Sequence, residues 1–318
     1  MIKISILVPA FKPNFLKECI DSILAQTYQN FELIIVNDAS PHDLDSVINI
    51  YNDKRIHYYT NQKGCGGLRV VDNWNICLKY SQGDFVICMG DDDKLLPNCL
   101  EDYLHLIEKY PKLDVYHSFT EMIDENSQLM DMQQTCPEYE SIYSLIWNFW
   151  KGRDQYIGDY LFRTSSLKEK GGFVFTPYAW SADKLSIYEA AKRNGIANTQ
   201  RPGFQYRKNS HNITSTSSTQ RERYKALLIE KKWYEEFLKE VLEPSTEIDK
   251  KYLMLLRRNL KVLMMKRLDS MMFWDVTDNP SHFSYWKRKQ KEYGIDNQSI
   301  KHARYISYKE KLKSILKK

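Results

Sequence analysis

The chain has little of what builds fibrous, cross-linked or membrane-spanning proteins. Only 12 glycines and 10 prolines occur among 318 residues, which excludes collagen-like and low-complexity architectures. Six cysteines, Cys19, Cys65, Cys77, Cys88, Cys99 and Cys136, form no C-x-x-C pair. Several sit in apolar patterns, as free buried thiols do, so a reducing compartment is expected. No apolar run approaches the roughly 20 residues needed to cross a bilayer. The opening run Met1–Pro9 is too short for a signal peptide and leads into no cleavage-like region. A cytoplasmic protein, at most peripheral to the inner face of a membrane, is expected. No internal repeat is visible.

What remains is a globular composition, 42% apolar and 13% aromatic, sufficient for a large core. The net charge of +5 hides an asymmetry. Residues 221–318 hold 24 Lys/Arg against 14 Asp/Glu, or +10, so residues 1–220 carry 22 against 27, or −5. The polar stretch Ser210–Thr219 lies near that change, which predicts a body over 1–219 and a basic helical region over 220–318. That region can pack on the body, hold a homodimer together or lie on an anionic membrane. Nucleic-acid binding is not expected, because no recognisable nucleic-acid domain accompanies the charge.

The body reads as alternating strands and helices. Apolar runs at Ile2–Pro9, Phe31–Val36, Ile56–Tyr59 and Phe85–Met89 suit buried strands, and helical spacing recurs between them. The pattern predicts an α/β fold with a mostly parallel sheet. The fourth run opens onto Asp91-Asp92-Asp93, at the sheet edge where such folds bind ligands. Three adjacent carboxylates suit a hard cation, Mg²⁺ or Mn²⁺, that itself holds a diphosphate. They equally suit a solvated acidic turn with a capping aspartate.

Six ordered blocks resemble the family 2 glycosyltransferases of the GT-A fold: Ser5–Lys12, Glu32–Ser40, Asn61–Gly83, Met89–Leu96, Gly171–Phe173 with Ala182-Asp183, and Tyr206–His211. Their common order is a stronger signal than any single block. The resemblance implies an inverting hexosyl- or N-acetylhexosaminyl-transferase that uses a UDP-sugar and a divalent cation. The acceptor would be a saccharide or lipid-linked saccharide in surface polysaccharide synthesis. Two residues depart from the pattern. Gly90 stands where the family usually has the first Asp of Asp-x-Asp, and Ala182 where it usually has Glu.

The resemblance assigns roles residue by residue. Pro9, Ala10 and Phe11 would shape the nucleotide pocket, Phe11 by stacking or else as a core aromatic. Asp38 would accept the uracil imide hydrogen, or else cap the next helix. Arg69 would contact base or phosphate, or face solvent. Asp91 would serve ribose or metal, Asp92 would hold the metal, and Asp93 would cap the following helix. His211 would complete the metal's coordination or contact the diphosphate, or else be a solvated loop histidine. Asp183 would be the general base, or else a first-turn aspartate favoured by the helix dipole. Tyr178 and Trp180 would stack on sugar or fill core. Two rival functions stay open: a sugar-phosphate nucleotidyltransferase, and a degenerate sugar-nucleotide-binding protein without transferase activity.

Overall fold

The computed structural model describes residues 1–209, 219–240, 244 and 246–316. The chain divides into two compact units, Met1–Ile213 and Thr214–Lys318.

The first unit begins with β1 (Ile4–Ala10), α1 (Leu16–Leu24), β2 (Phe31–Asn37), α2 (Asp45–Ile48), β3 (Ile56–Thr60), α3 (Val70–Tyr80) and β4 (Phe85–Cys88). These runs form strands because apolar side chains on both pleat faces can be covered by helices. All seven residues of β2 and all four of β4 are buried. Helix α1 buries Leu16, Cys19, Ile20 and Ile23 at helical spacing against that core. Each such side chain contributes about 1.5–3 kcal/mol on leaving water.

The chain continues through β5 (Lys94–Leu95), α4 (Cys99–Lys109), β6 (Val115–Ile123), β7 (Leu129–Met132), β8 (Tyr139–Glu140), α5 (Ile142–Trp150), β9 (Tyr160–Arg163), α6 (Thr164–Glu169), α7 (Ala182–Ala191) and β10 (Ile196–Arg207). The sheet order is β3-β2-β1-β4-β9-β6-β10-β5, with β7 on β6 and β8 on β10. Strands β3, β2, β1 and β4 run parallel. Strand β9 is antiparallel to both β4 and β6. The α/β fold is as expected; the sheet, expected to be mostly parallel, is parallel over β3-β2-β1-β4 and between β6 and β10 and antiparallel at its other pairings, and the C-terminal ends of β1, β2 and β4 share one edge.

Helix α7 begins at Ala182, because Tyr178, Ala179 and Ser181 before it adopt left-handed backbone. Strand β10 has no counterpart among the runs read from the sequence. Asp93 caps no helix, contrary to expectation: β5 follows it, and α4 begins only at Cys99, after Asn98.

The second unit consists of α8 (Gln220–Phe237), α9 (Glu247–Asp278), α10 (Phe283–Tyr293) and α11 (Asn297–Leu316). Its buried centre includes Trp286, whose indole N–H donates to Asp275 at 2.7 Å. Helix α9 packs against both α8 and α11. No helix among the described residues is long and apolar enough to cross a membrane.

Candidate active site

The edge is built where β1 and β2 end together. Pro9 pairs with Val36 and Ala10 with Asn37, and the Asp38 amide donates to the Ala10 carbonyl at 3.0 Å. Beyond the strand, Phe11 turns outward and is 40% exposed, so it is a surface platform rather than a core aromatic. The Ser40 hydroxyl donates to its carbonyl at 2.6 Å. The edge of its ring meets His42 with centroids 6.3 Å apart.

Asp38 is buried and caps no helix. Its Oδ1 accepts from Asn61 Nδ2 at 2.9 Å and from the Cys65 amide at 2.8 Å. Its Oδ2 accepts from the Gly66 amide at 3.0 Å. The Asn61–Gly67 loop is thus folded around this carboxylate, and Oδ2 keeps acceptor capacity for one further donor. Gly64 is required here, since a Cβ on it would sit 2.6 Å from the Asp38 carbonyl oxygen. Arg69, after the loop, is paired with Asp72 at 2.5 Å and lies over the Phe175 ring at 5.0 Å.

The acidic turn after β4 is tied to the same edge. Asp91 Oδ2 accepts from the Phe11 and Lys12 amides at 2.7 and 2.8 Å. Burial and the charge of Asp92 push its carboxyl up to about 6. Asp93 is 5% exposed, accepts the Arg207 amide at 2.9 Å, and is held well above the usual carboxylate range by burial and by Asp92. Asp92 Oδ2 accepts from Asn209 Nδ2 at 2.8 Å. Gly90 also has a steric reason: a Cβ there would meet Asp92 Oδ1 at 2.7 Å and Asp93 Oδ2 at 3.0 Å. An aspartate at position 90 would crowd the carboxylates it was meant to join.

Arg207 organises this turn, a role the sequence reading did not give it. Its guanidinium is fully buried. It donates to the carbonyls of Asp92 at 2.8 Å and Asp124 at 3.0 Å, to Ser127 Oγ at 3.0 Å, and to Glu18 at 2.9 Å. It also lies over the Phe15 ring at 4.3 Å. Its ion-pair partner is Glu18, and it holds the triplet through the Asp92 carbonyl and through its own amide on Asp93. Asn209, Asn61 and Gln155 were missed as well, because an isolated amide in a sequence carries no signal of what it will contact.

For a metal, the donor chemistry is suitable. Carboxylate oxygens suit Mg²⁺ or Mn²⁺, which take one or two carboxylates and leave the remaining positions to substrate phosphates. Asp91 and Asp93 each spend an oxygen on backbone amides, whereas among the described residues the Asp92 carboxylate accepts from a side-chain amide. Among the described residues no group of three or more His, Cys, Asp or Glu side chains is arranged to hold a metal. His211 lies outside the described residues.

Asp183 sits in the first turn of α7. Its Oδ1 accepts the Lys184 amide at 2.7 Å. Burial raises its pKa, against the opposing effects of Lys184 and a hydrogen bond from Gln155. The approach to it is strained: Tyr178, Ala179 and Ser181 have φ of 55°, 54° and 67°, at about 1–3 kcal/mol each for non-glycine residues. The Tyr178 ring packs on Gly67, where an added Cβ would lie 3.3 Å away, so this segment touches the Asp38 loop. Ala182 is fully buried; a glutamate there would carry its carboxylate into closed core. Gly171 and Gly172 form the expected turn at φ of 89° and 95°. Asn75 on α3 holds the Phe173 amide at 2.8 Å, and a Cβ on Gly172 would strike that side chain at 2.3 Å.

The sequence model of the family described as Glycosyl transferase family 2 matches residues 5–180, more than half of the chain. An uncharacterized glycosyltransferase of Rickettsia typhi is 29% identical over 172 residues, covering 52% of this chain and 52% of that protein. The Escherichia coli UDP-Glc:alpha-D-GlcNAc-diphosphoundecaprenol beta-1,3-glucosyltransferase WfgD is 32% identical over 127 residues, 39% of this chain and 48% of that one. The match thus spans about half the length of these relatives. Among solved structures, S. aureus TarS in complex with UDP-GlcNAc superimposes with a TM-score of 0.62 at 16% identity, over 96% of this chain and 90% of that one. The fold is GT-A, and the chain belongs to glycosyl transferase family 2.

Proposed function

We propose that the chain is an inverting glycosyltransferase that moves a hexosyl or N-acetylhexosaminyl group from a UDP-sugar to a saccharide or lipid-linked saccharide. The observation that carries this reading is the pair of hydrogen bonds that the Phe11 and Lys12 amides donate to Asp91, which joins an exposed aromatic platform and an acidic turn at one edge. The base would stack on Phe11, with its imide hydrogen on the remaining capacity of Asp38 Oδ2. Pro9 and Ala10 would form the pocket floor. Because Arg69 is engaged by Asp72 and Phe175, its contact with nucleotide would require it to leave Asp72. Asp92 would hold Mg²⁺ or Mn²⁺. When bound, that cation neutralises charge growing on the diphosphate.

Asp183 would take the acceptor hydroxyl proton while the acceptor oxygen bonds to the anomeric carbon. The bond from that carbon to the diphosphate breaks, and UDP leaves with the electron pair. Attack opposite the leaving group inverts the configuration, as in single-displacement glycoside hydrolysis. The names of WfgD, which uses UDP-Glc and a diphosphoundecaprenol acceptor, and of the TarS complex with UDP-GlcNAc support the donor class and make surface-glycan synthesis the preferred setting.

Product analysis tests the reading. Incubation with a panel of UDP-sugars and Mn²⁺ is expected to release free UDP, slowly to water and faster with acceptor. Release of pyrophosphate from UTP and a sugar phosphate would instead establish a nucleotidyltransferase. UDP binding with no turnover of any donor would establish a degenerate binding protein.

A further inference from the structure

We infer that the outward face of α11 is a docking surface for an anionic lipid bilayer. The helix packs inward through Ser299, Ile300, Ala303 and Ser307, all buried. These positions recur at three- and four-residue intervals and so define one face. The opposite face carries Lys301, Tyr305, Tyr308 and Leu312, spaced by four, three and four residues. Tyr305 is 60% exposed, Tyr308 64% and Leu312 42%. A soluble helix ordinarily turns charge, not a stripe of large side chains, toward water.

The composition around the stripe identifies the occupant. From Asn297 to Leu316 the helix carries five Lys/Arg and one Glu, or +4. The single acid, Glu310, is already paired with Lys313 at 2.7 Å. Lys301, Arg304 and Lys309 are exposed on or beside the stripe. A protein partner would be met by an apolar centre with depleted charge. Tyrosines flanked by lysines match instead the headgroup layer, where the ring sits at the acyl boundary and the cations face anionic lipid. The basic residues attract an anionic surface, and the tyrosines with Leu312 give the contact depth. This proposal does not depend on the catalytic reading, since it concerns a different unit of the chain.

Vesicle co-sedimentation of the full chain tests it. Binding to phosphatidylglycerol-rich vesicles is expected at low salt, with little binding to pure phosphatidylcholine. Lys301→Glu and Lys309→Glu should each weaken binding at least about fivefold, the effect of one basic residue at such a surface. The double variant Tyr305→Ser/Tyr308→Ser should weaken it roughly tenfold or more at unchanged charge. These side chains face solvent, so circular dichroism should stay unchanged, and UDP binding provides a second check on folding. Absence of vesicle binding by the wild type, or equal binding by the tyrosine variant, would overturn the proposal. So would sedimentation velocity showing that the stripe holds an oligomer which the variants dissolve.

Discussion

The acidic turn after β4 and the start of α7 both present carboxylates at the candidate site, and they are held in opposite ways. Every carboxylate of the turn is braced: Asp91 by two backbone amides, Asp92 by Asn209, Asp93 by the Arg207 amide, with the Arg207 guanidinium beneath. Asp183 rests on its own neighbour's amide and on Gln155, at the end of a segment with three left-handed non-glycine residues. On the proposed reading, the turn would be the preformed surface that receives the charged ligand. The α7 start holds strained backbone beside the carboxyl that, on the proposed reading, would take the proton. The proposed function would thus divide rigid binding and strained chemistry between two stretches of chain about ninety residues apart in number.

The largest expected effect is on turnover. Asp183→Asn should lower kcat by about a hundred- to ten-thousandfold, the range for a lost general base, with UDP affinity unchanged by calorimetry. An equal loss of UDP affinity would make Asp183 part of the binding surface and erase the division. Burial raises the Asp183 pKa, so its carboxyl ionises at a higher pH than that of a solvent-exposed aspartate. The wild-type rate should fall on acidification at a pH above that of a solvent-exposed aspartate.

Next is the brace itself. Arg207→Met leaves the Asp92 and Asp124 carbonyls without their buried donor and should destabilise the chain by about 3 kcal/mol, read from urea unfolding. A change under 1 kcal/mol would mean that the turn does not need its brace.

A smaller effect has a defined sign with pH. The Asp91 carboxyl is raised from 3.8 to about 6, so the folded state favours its neutral form. Its contribution to stability is fully present below about pH 4 and is lost as pH rises through about 6. Asp91→Asn keeps an oxygen for the Phe11 and Lys12 amides and removes the charge. The variant should therefore melt above the wild type at pH 7, with the gap closing near pH 4. A gap that persists at pH 4 would assign the gain to something other than charge.

The smallest effect probes the strained side. Ala179→Gly relieves a φ of 54° and should stabilise by about 1 kcal/mol. Destabilisation would show that the segment is held without strain.

Much of the edge was legible because its signals are local. Apolar runs ending in Pro9-Ala10, Asn37-Asp38 and Gly90–Asp93 mark strand ends whatever the partner strand. What escaped depends on contacts between distant residues. Strand β10 carries Pro202 and Gly203 within a register shift against β6, so it reads locally as a loop. Asp93 resembles a cap until Arg207, 114 positions later, claims its oxygen. Helix α11 was read only as part of the basic helical region, since its buried face has Ser299, Ala303 and Ser307 beside the single large apolar Ile300, which gives little apolar period. Gly90 and Ala182 looked like losses of function from the sequence, and steric crowding and burial account for both.

The most direct test of the central claim is calorimetric titration of UDP into the chain with and without Mn²⁺, repeated on Asp92→Ala. UDP should bind the wild type more tightly with the cation present, and the variant should lose that increment while keeping metal-independent affinity. Identical titrations of wild type and variant under both conditions would contradict the assignment of the β1–β2–β4 edge as a metal-assisted nucleotide site.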